Sequence, residues 1–172
     1  MKIFVEKLTD VNLMREACSF TINRDSNMSL EKIYKCEHSP MRTQIFIVKM
    51  YDIPTFVSVH FVRHKIGVEH WVKSNRDDRG GEIADRDTPV NHMMMLNAET
   101  LITMARKRLC YKAHKMTTVV MNEIKREVNK VDPDLAKTMV KNCLYRNGCN
   151  EVKPCGFYDR ICKNDDPWDR FE

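Results

Sequence analysis

Basic side chains crowd the segment from His60 to Arg79. His60, Arg63, His64, Lys65, His70, Lys73, Arg76 and Arg79 are interleaved there with Glu69, Ser74 and Asn75. This donor set suits phosphate. Arginine offers a planar fork for two phosphate oxygens, lysine a compact charge, and serine an additional hydroxyl. A solvated basic loop has the same composition, because runs of charge most often just face water. A second pair, Asn97 and Arg108, stands eleven positions apart. On one continuous helix that is close to three turns, so the amide and the guanidinium share a face about 16 Å apart. Such a pair can grip two ends of an extended ligand, although two unrelated surface residues produce the same spacing.

The elements that must carry these groups follow from pattern. Thr9 or Asp10 caps a short helix running toward Cys18, and Ser29 caps a second, with Glu31 early and Lys35 late as the helix dipole favours. The segment 36–40 breaks that helix, and the β-branched run from Gln44 to Met50 reads as a strand. Asp52-Ile53-Pro54 opens another helix, with proline in its first turn. Ile53, Phe56, Val57 and Phe61 give it one buried face, and Arg63, His64 and Lys65 fall at its C-terminal end. Lys73 to Pro89 reads as a polar loop, broken at Gly80-Gly81. A long helix is expected over Asn97–Lys130, with Leu101, Ala105, Leu109, Met116, Val120 and Ile124 as its apolar stripe. Asp132-Pro133 starts a further short helix that ends before Asn147-Gly148. Met93, Met94 and Met95 read as core filler, with a pocket wall as the alternative.

Composition bounds the rest. The 172 residues fit one domain with a substantial core, expected over residues 1–148, followed by an irregular cysteine-bearing tail over 149–172. Trp168 and Phe171 are expected to dock that tail on the body or on a neighbouring subunit. No apolar run approaches the ~20 residues that cross a bilayer. Met1 to Lys7 lacks the apolar core of a signal peptide, so the expected location is the cytoplasm. A net charge of +5 suits a phosphorylated small molecule better than a nucleic acid coat. Seven cysteines, an odd number, read as thiols in a reducing compartment. Cys143, Cys149, Cys155 and Cys162 lack the tight C-x-x-C pairs of zinc sites, so no metal is expected.

Several of these segments resemble one family in the correct order. Phe61-Val62-Arg63-His64-Lys65, followed by Ser74-Asn75-Arg76, resembles the RHRxxSxNxxSxRY signature of flavin-dependent thymidylate synthases. Ile53-Pro54-Thr55-Phe56-Val57 is similar to the helix leading into it. Cys18-Ser19-Phe20 is similar to the family's early serine segment, and His38-Ser39-Pro40 to its histidine-containing turn. Asn97-Ala98-Glu99-Thr100-Leu101, Arg108-Leu109 and Ala113-His114 match the family's Asn-Ala-x-Ser-Leu, Arg and Ala-Gln positions without a gap. The match spans roughly residues 18 to 118. Lys65 replaces the third signature residue, Val68 and His70 replace a serine and an asparagine, and Asp77 replaces the tyrosine. Ser74 and Arg76 align only with one inserted residue. The family's long insertion shrinks to Asp77–Leu96, taking with it a phosphate-binding arginine that has no clear counterpart here; Arg79 and Arg86 are the candidates to replace it.

The resemblance implies an α/β (α+β) fold with a central, mainly antiparallel sheet and long helices. It implies methylation of dUMP to dTMP at carbon 5 of the uracil. Methylenetetrahydrofolate would give the carbon, reduced FAD the hydride, and NADPH the electrons for FAD. It assigns His38, Arg63, His64, Lys65 and Asn97 to FAD, and His60, Ser74, Arg76 and Arg108 to the pyrimidine deoxynucleotide. Arg108 is the catalytic candidate, polarising the base where negative charge develops. A homotetramer with shared sites is implied as well. Two alternatives stay open. One is a flavin enzyme that hydroxymethylates or otherwise modifies a pyrimidine nucleotide. The other is a non-catalytic protein that binds a nucleotide or a nucleic acid.

Overall fold

The structure is a computed structural model that describes residues 1–79, 81 and 85–161. Four strands form one antiparallel sheet: β1 (Lys2–Lys7), β2 (Ile45–Pro54), β3 (Val68–Val72) and β4 (Pro89–Asn97), in the order β1-β2-β4-β3. Side chains alternate across a strand, so each strand presents one face to the helices. Phe46, Val48 and Met50 of β2, with Val90, Met94 and Leu96 of β4, are buried on that face. Helices α3 (Thr55–Val62), α4 (Ala98–Arg108) and α5 (Lys115–Val131) pack against it, and α1 (Val11–Ile22), α2 (Leu30–Lys35) and α6 (Pro133–Thr138) complete the same core. Two short ones follow, α7 (Asn142–Tyr145) and α8 (Phe157–Ile161). This is the expected α+β architecture around an antiparallel sheet.

Local capping chemistry behaves as its residue types dictate. Asp10 accepts from the Asn12 amide at 2.6 Å and starts α1, which runs beyond Cys18 to Ile22. Ser29 accepts from Lys32 N and starts α2, where Lys35 pairs with Glu31 at 2.9 Å. The helix expected to open at Asp52-Ile53-Pro54 starts later, because these residues pair with β4 as the end of β2 and Ile53 is buried from the strand; α3 begins at Thr55, with Val57 and Phe61 fully buried.

Three further expectations are corrected. The helix expected over Asn97–Lys130 is two helices, α4 and α5, separated by residues 109–114. No glycine or proline forces that break. Leu109 is buried at the end of α4, and His114 Nδ1 accepts from Met116 N to cap a fresh start that lays α5 along β1. Met116 accordingly lies exposed outside the apolar stripe. The methionine run is strand, not filler: only Met94 points to the core, while Met95 is exposed. Third, the tail is not wholly irregular. Helix α8 places Phe157 edge-on to Tyr111 at 5.0 Å, with Lys141 Nζ over both rings at 4.7 and 4.8 Å.

Cys110, Cys143, Cys149 and Cys155 line one narrow crevice under this tail. No group of three described His, Cys, Asp or Glu side chains has the arrangement of a metal site. Cys162, Trp168 and Phe171 lie outside the described residues. Among the described residues no helix is long and apolar enough to cross a membrane.

One buried carboxylate ties the far end of the sheet to the helices. Asp132 Oδ2 accepts from Tyr34 Oη and from Lys7 Nζ, each at 2.7 Å, and its Oδ1 caps α6 through Leu135 N at 3.1 Å. Burial, with Asp132 next in importance, pushes the Tyr34 phenol well above its ordinary pKa, so it stays a donor. Removing the carboxylate leaves a half-buried ammonium and a buried hydroxyl without their acceptor. Asp132→Ala is expected to cost about 3 kcal/mol or more of stability, measured by urea unfolding, while Asp134→Ala, at a half-buried position in the first turn of α6, changes it by under about 1 kcal/mol.

Candidate functional site

The turn 63–67 joins α3 to β3 and docks on the start of α4. The first amides of a helix have no partner within it. Here Asn97 N donates to Gly67 O at 3.1 Å, Ala98 N to Gln44 O at 3.0 Å, and Thr100 N to Asn97 Oδ1 at 2.9 Å. The Thr100 hydroxyl donates to Ile66 O at 2.8 Å. Gly67 has φ +67°, and a Cβ there would sit 2.6 Å from Asn97 Nδ2 and 2.7 Å from Thr100 Oγ1. Only glycine allows both the left-handed backbone and this approach.

The turn carries Arg63, His64 and Lys65 to the wall of a cavity of about 510 Å³, completed by Arg42, Ile66, Glu99, Thr100 and Thr103. Arg42 is already neutralised by a two-pronged bond to Glu99 at 2.8 and 2.9 Å. Arg63 and Lys65 have no ion-pair partner among the described residues. His64 is held at both ends. Its Nε2 accepts from Arg108 Nε at 3.1 Å, and its carbonyl accepts from His70 Nε2 at 2.8 Å. Because arginine only donates, the proton of the His64 ring resides on Nδ1. Burial, then the Arg108 charge, bring its pKa down to about 4, so His64 is a neutral donor at neutral pH.

Arg108 ends α4 and donates through Nη2 to the carbonyl of His60. Its Nη1 has no protein partner among the described residues. His60 contacts Thr117 Oγ1 through Nδ1 at 2.7 Å. Burial lowers the His60 pKa, and so do Arg108, Arg63, His114 and Arg86, a surrounding that is entirely basic. Phe56 lies among these groups. Its ring meets His114 at 4.6 Å and His60 at 5.8 Å, and Arg86 stacks over it at 4.9 Å. Clustered cations and imidazoles of this kind favour an anionic ligand.

The structure thus gathers His60, Arg63, His64, Lys65 and Arg108 of the expected residues. Asn97 lies next to them, on a neighbouring cavity of about 260 Å³ shared with Lys65 and Gly67, and its carboxamide oxygen is committed to capping α4. Three others stand apart. His38 precedes a short 3-10 helix (Ser39–Thr43) and makes backbone bonds there. Arg76 is clamped to Asp78 by two 2.8 Å bonds in the exposed β3–β4 loop, where its amide donates to Ser74 Oγ at 3.4 Å. None of His38, Ser74 and Arg76 lines the cavity. Of the two candidates for the missing arginine, Arg86 is the one at the cluster. Arg79 lies exposed in a 3-10 turn, Asp77–Arg79. Arg42, Ser58, His92 and Thr117 also belong to the network and were invisible in the sequence. Each meets its partner over a separation of 34 to 57 residues, which no local pattern encodes.

Strand order and helix placement together define the fold of the flavin-dependent thymidylate synthases. Thymidylate Synthase X from Helicobacter pylori, crystallised with FAD and dUMP, aligns with a TM-score of 0.67 at 10% identity, covering 82% of this chain and all of its own. A second structure of that enzyme, also complexed with FAD and dUMP, gives 0.67 at 11% identity over the same shares. The UMP/dUMP methylase PolB from Streptomyces cacaoi, bound with 5-Br dUMP, gives 0.61 at 13% identity, covering 81% of this chain and 97% of its own. At such identities the likeness is one of fold. No protein-family model matches the sequence, and a search of curated proteins by sequence finds no match.

Acid sensitivity follows from the neutral histidines. The pKa values of His64 and His92 fall from the ordinary 6.5 to about 4 on folding. Across that window the unfolded chain binds protons that the folded chain refuses, so stability falls as pH drops through it. Below about 4 these two groups add no further slope. Urea unfolding across the window is expected to show this loss, and His64→Gln to flatten part of it.

Proposed function

We propose that this chain is a flavin-dependent enzyme that methylates a pyrimidine deoxynucleotide, dUMP to dTMP. Methylenetetrahydrofolate is the carbon donor and NADPH the reductant in this reading. The observation that carries it is the cavity at the 63–67 turn, where cations without counter-ions and a neutral imidazole donor meet on a fold shared with enzymes crystallised with FAD and dUMP. The donor set fits the cofactor: Arg63 and Lys65 for its phosphates, His64 Nδ1–H for an uncharged acceptor. When bound and reduced, the flavin would supply a hydride. Arg108 uses Nε and Nη2 to hold His64 and His60, leaving Nη1 to polarise a pyrimidine carbonyl, and it remains cationic at any working pH. His60, Arg86 and His114 surround Phe56 as the candidate seat of the nucleotide phosphate. A hydroxymethylated product is the second reading, favoured by the changed signature at Lys65, Val68 and His70. Product mass separates the two.

The site is open, and the sheet offers a surface to close it. Phe4, Tyr51, Trp71 and Met95 are exposed on the face opposite the helices, with Met93 half-buried between them. We propose that this face pairs copies of the chain in a homotetramer with shared sites. Light scattering should report a tetramer, or at least a dimer, and Trp71→Glu should shift it toward monomer. A fully active wild-type monomer would contradict shared sites.

Purified protein is expected to carry FAD or to take it up stoichiometrically. Arg63→Ala with His64→Ala should abolish uptake while circular dichroism stays unchanged. No flavin affinity at micromolar concentration in the wild type would end the flavin reading.

Arg108 tests the catalytic assignment. Arg108→Ala should lower turnover roughly a hundredfold, on the order of 3 kcal/mol of transition-state stabilisation. Arg108→Lys should keep the charge and lose the fork. Because Arg108 holds the His64 ring, both variants should also weaken flavin binding modestly, so turnover is measured at saturating FAD. Unchanged turnover in the alanine variant would remove Arg108 from the site.

A further inference from the structure

Four polar groups form a continuous chain that leads out of the core. Ser58 Oγ lies 3.1 Å from His92 Nδ1, His92 Nε2 lies 3.0 Å from His70 Nδ1, and His70 Nε2 lies 2.8 Å from the carbonyl of His64. Ser58 is on α3, His92 on β4 and His70 on β3, so the chain stitches three elements together before it ends on the turn. Ser58 and His92 are 2% and 1% exposed.

The end of the chain fixes its direction. A carbonyl oxygen can only accept, so His70 Nε2 carries a proton. In the Nε2–H tautomer His70 has its lone pair on Nδ1 and receives the Nε2–H of His92. His92 in turn has its lone pair on Nδ1 and receives the hydroxyl proton of Ser58. With both imidazoles in the Nε2–H form, every ring nitrogen is satisfied. Burial, which brings the His92 pKa down to about 4, is consistent with that state.

We propose that Ser58, His92 and His70 act as a positioning relay that sets the His64 carbonyl, and with it the anion-binding turn Arg63–Gly67. The inference rests on the flavin reading for what the turn binds, but not for how the turn is held. Two apolar residues would fill the same volume between β3 and β4 without burying polar groups, and such replacements are often neutral or stabilising. What they could not do is grasp a carbonyl in a turn at the surface. Arg108 fixes the His64 ring from one side and His70 fixes its backbone from the other, so ring and carbonyl cannot move independently. His64 is thereby held ready for its ligand, which lowers the ordering cost of binding.

The test uses His92→Leu, which fills the space and cuts the chain, His92→Gln, which retains a donor and an acceptor, and His70→Val on the half-buried strand. Hydrogen exchange of residues 63–67 is measured in the ligand-free protein, and the FAD dissociation constant is measured separately. In His92→Leu and His70→Val the turn should exchange about tenfold faster, with β2 and β4 amides unchanged. FAD affinity should fall about tenfold in the same variants, and His92→Gln should restore both readouts to within roughly threefold. Imidazole nitrogen chemical shifts at neutral pH should show both histidines in the Nε2–H form. Unchanged exchange of the turn in both cut variants would overturn the relay, as would a glutamine variant no better than leucine, or an Nδ1–H form at His70. If His92→Leu fails to fold, His70→Val and the nitrogen shifts decide. If the wild type takes up no flavin, the functional reading fails while the exchange comparison still judges the relay.

Discussion

The N-terminus of α4 is the constraint on which the site depends. Its unpaired amides must find acceptors, and they find them on two distant segments: Gly67 in the α3–β3 turn and Gln44 at the entrance to β2. Thr100 adds its hydroxyl to Ile66 O, and Glu99 draws in Arg42. Satisfying one helix terminus therefore places the basic turn, the wall of the cavity and the start of a central strand in one operation. Gly67 is the price of that proximity, since any side chain there would collide with Asn97 and Thr100.

A second consequence is electrostatic. Arg63 and Arg108 lie close enough for Arg63 to lower the Arg108 pKa, after the larger effect of burial. The histidines nearby respond by losing their protons, and the arginines cannot. The fold therefore gathers positive charge on rigid forks and neutral donors on imidazoles. That division suits a ligand with both an anionic part and an uncharged, hydrogen-bonding ring. Like charges brought together without a counter-ion weaken the free protein. A bound anion relieves that repulsion, so occupancy and stability are coupled.

The site also shows how one side chain comes to serve two ends. Arg108 reaches His64 and the His60 carbonyl, which lie on α3 and just beyond it, from the last residue of α4. The turn 63–67 and the His60 cluster are therefore not separable compartments here. The helix stops at Arg108, with Leu109 buried behind it, and a helix continuing through residues 109–114 would carry α5 away from β1.

Residue types and short spacings by themselves determined the caps at Ser29 and Asp132, a cap at Thr9 or Asp10, the strand character of the run from Gln44 to Met50, the delivery of Arg63, His64 and Lys65 at the end of α3, and the basic character of the site. These are local matters of hydrogen bonding and periodicity within a few residues. The resemblance of ordered segments also pointed to the fold, although β1, β3 and β4 had no distinct local signal. Tertiary structure alone decided the rest. It split the expected long helix in two, turned Met93–Met95 into a strand, set Arg76 against Asp78 and away from the cavity, and brought Arg86 to Phe56. It also joined Ser58, His92 and His70 into one chain. Each of these rests on groups far apart in sequence or on competition between exposed partners, and only the packed chain brings such groups within hydrogen-bonding distance.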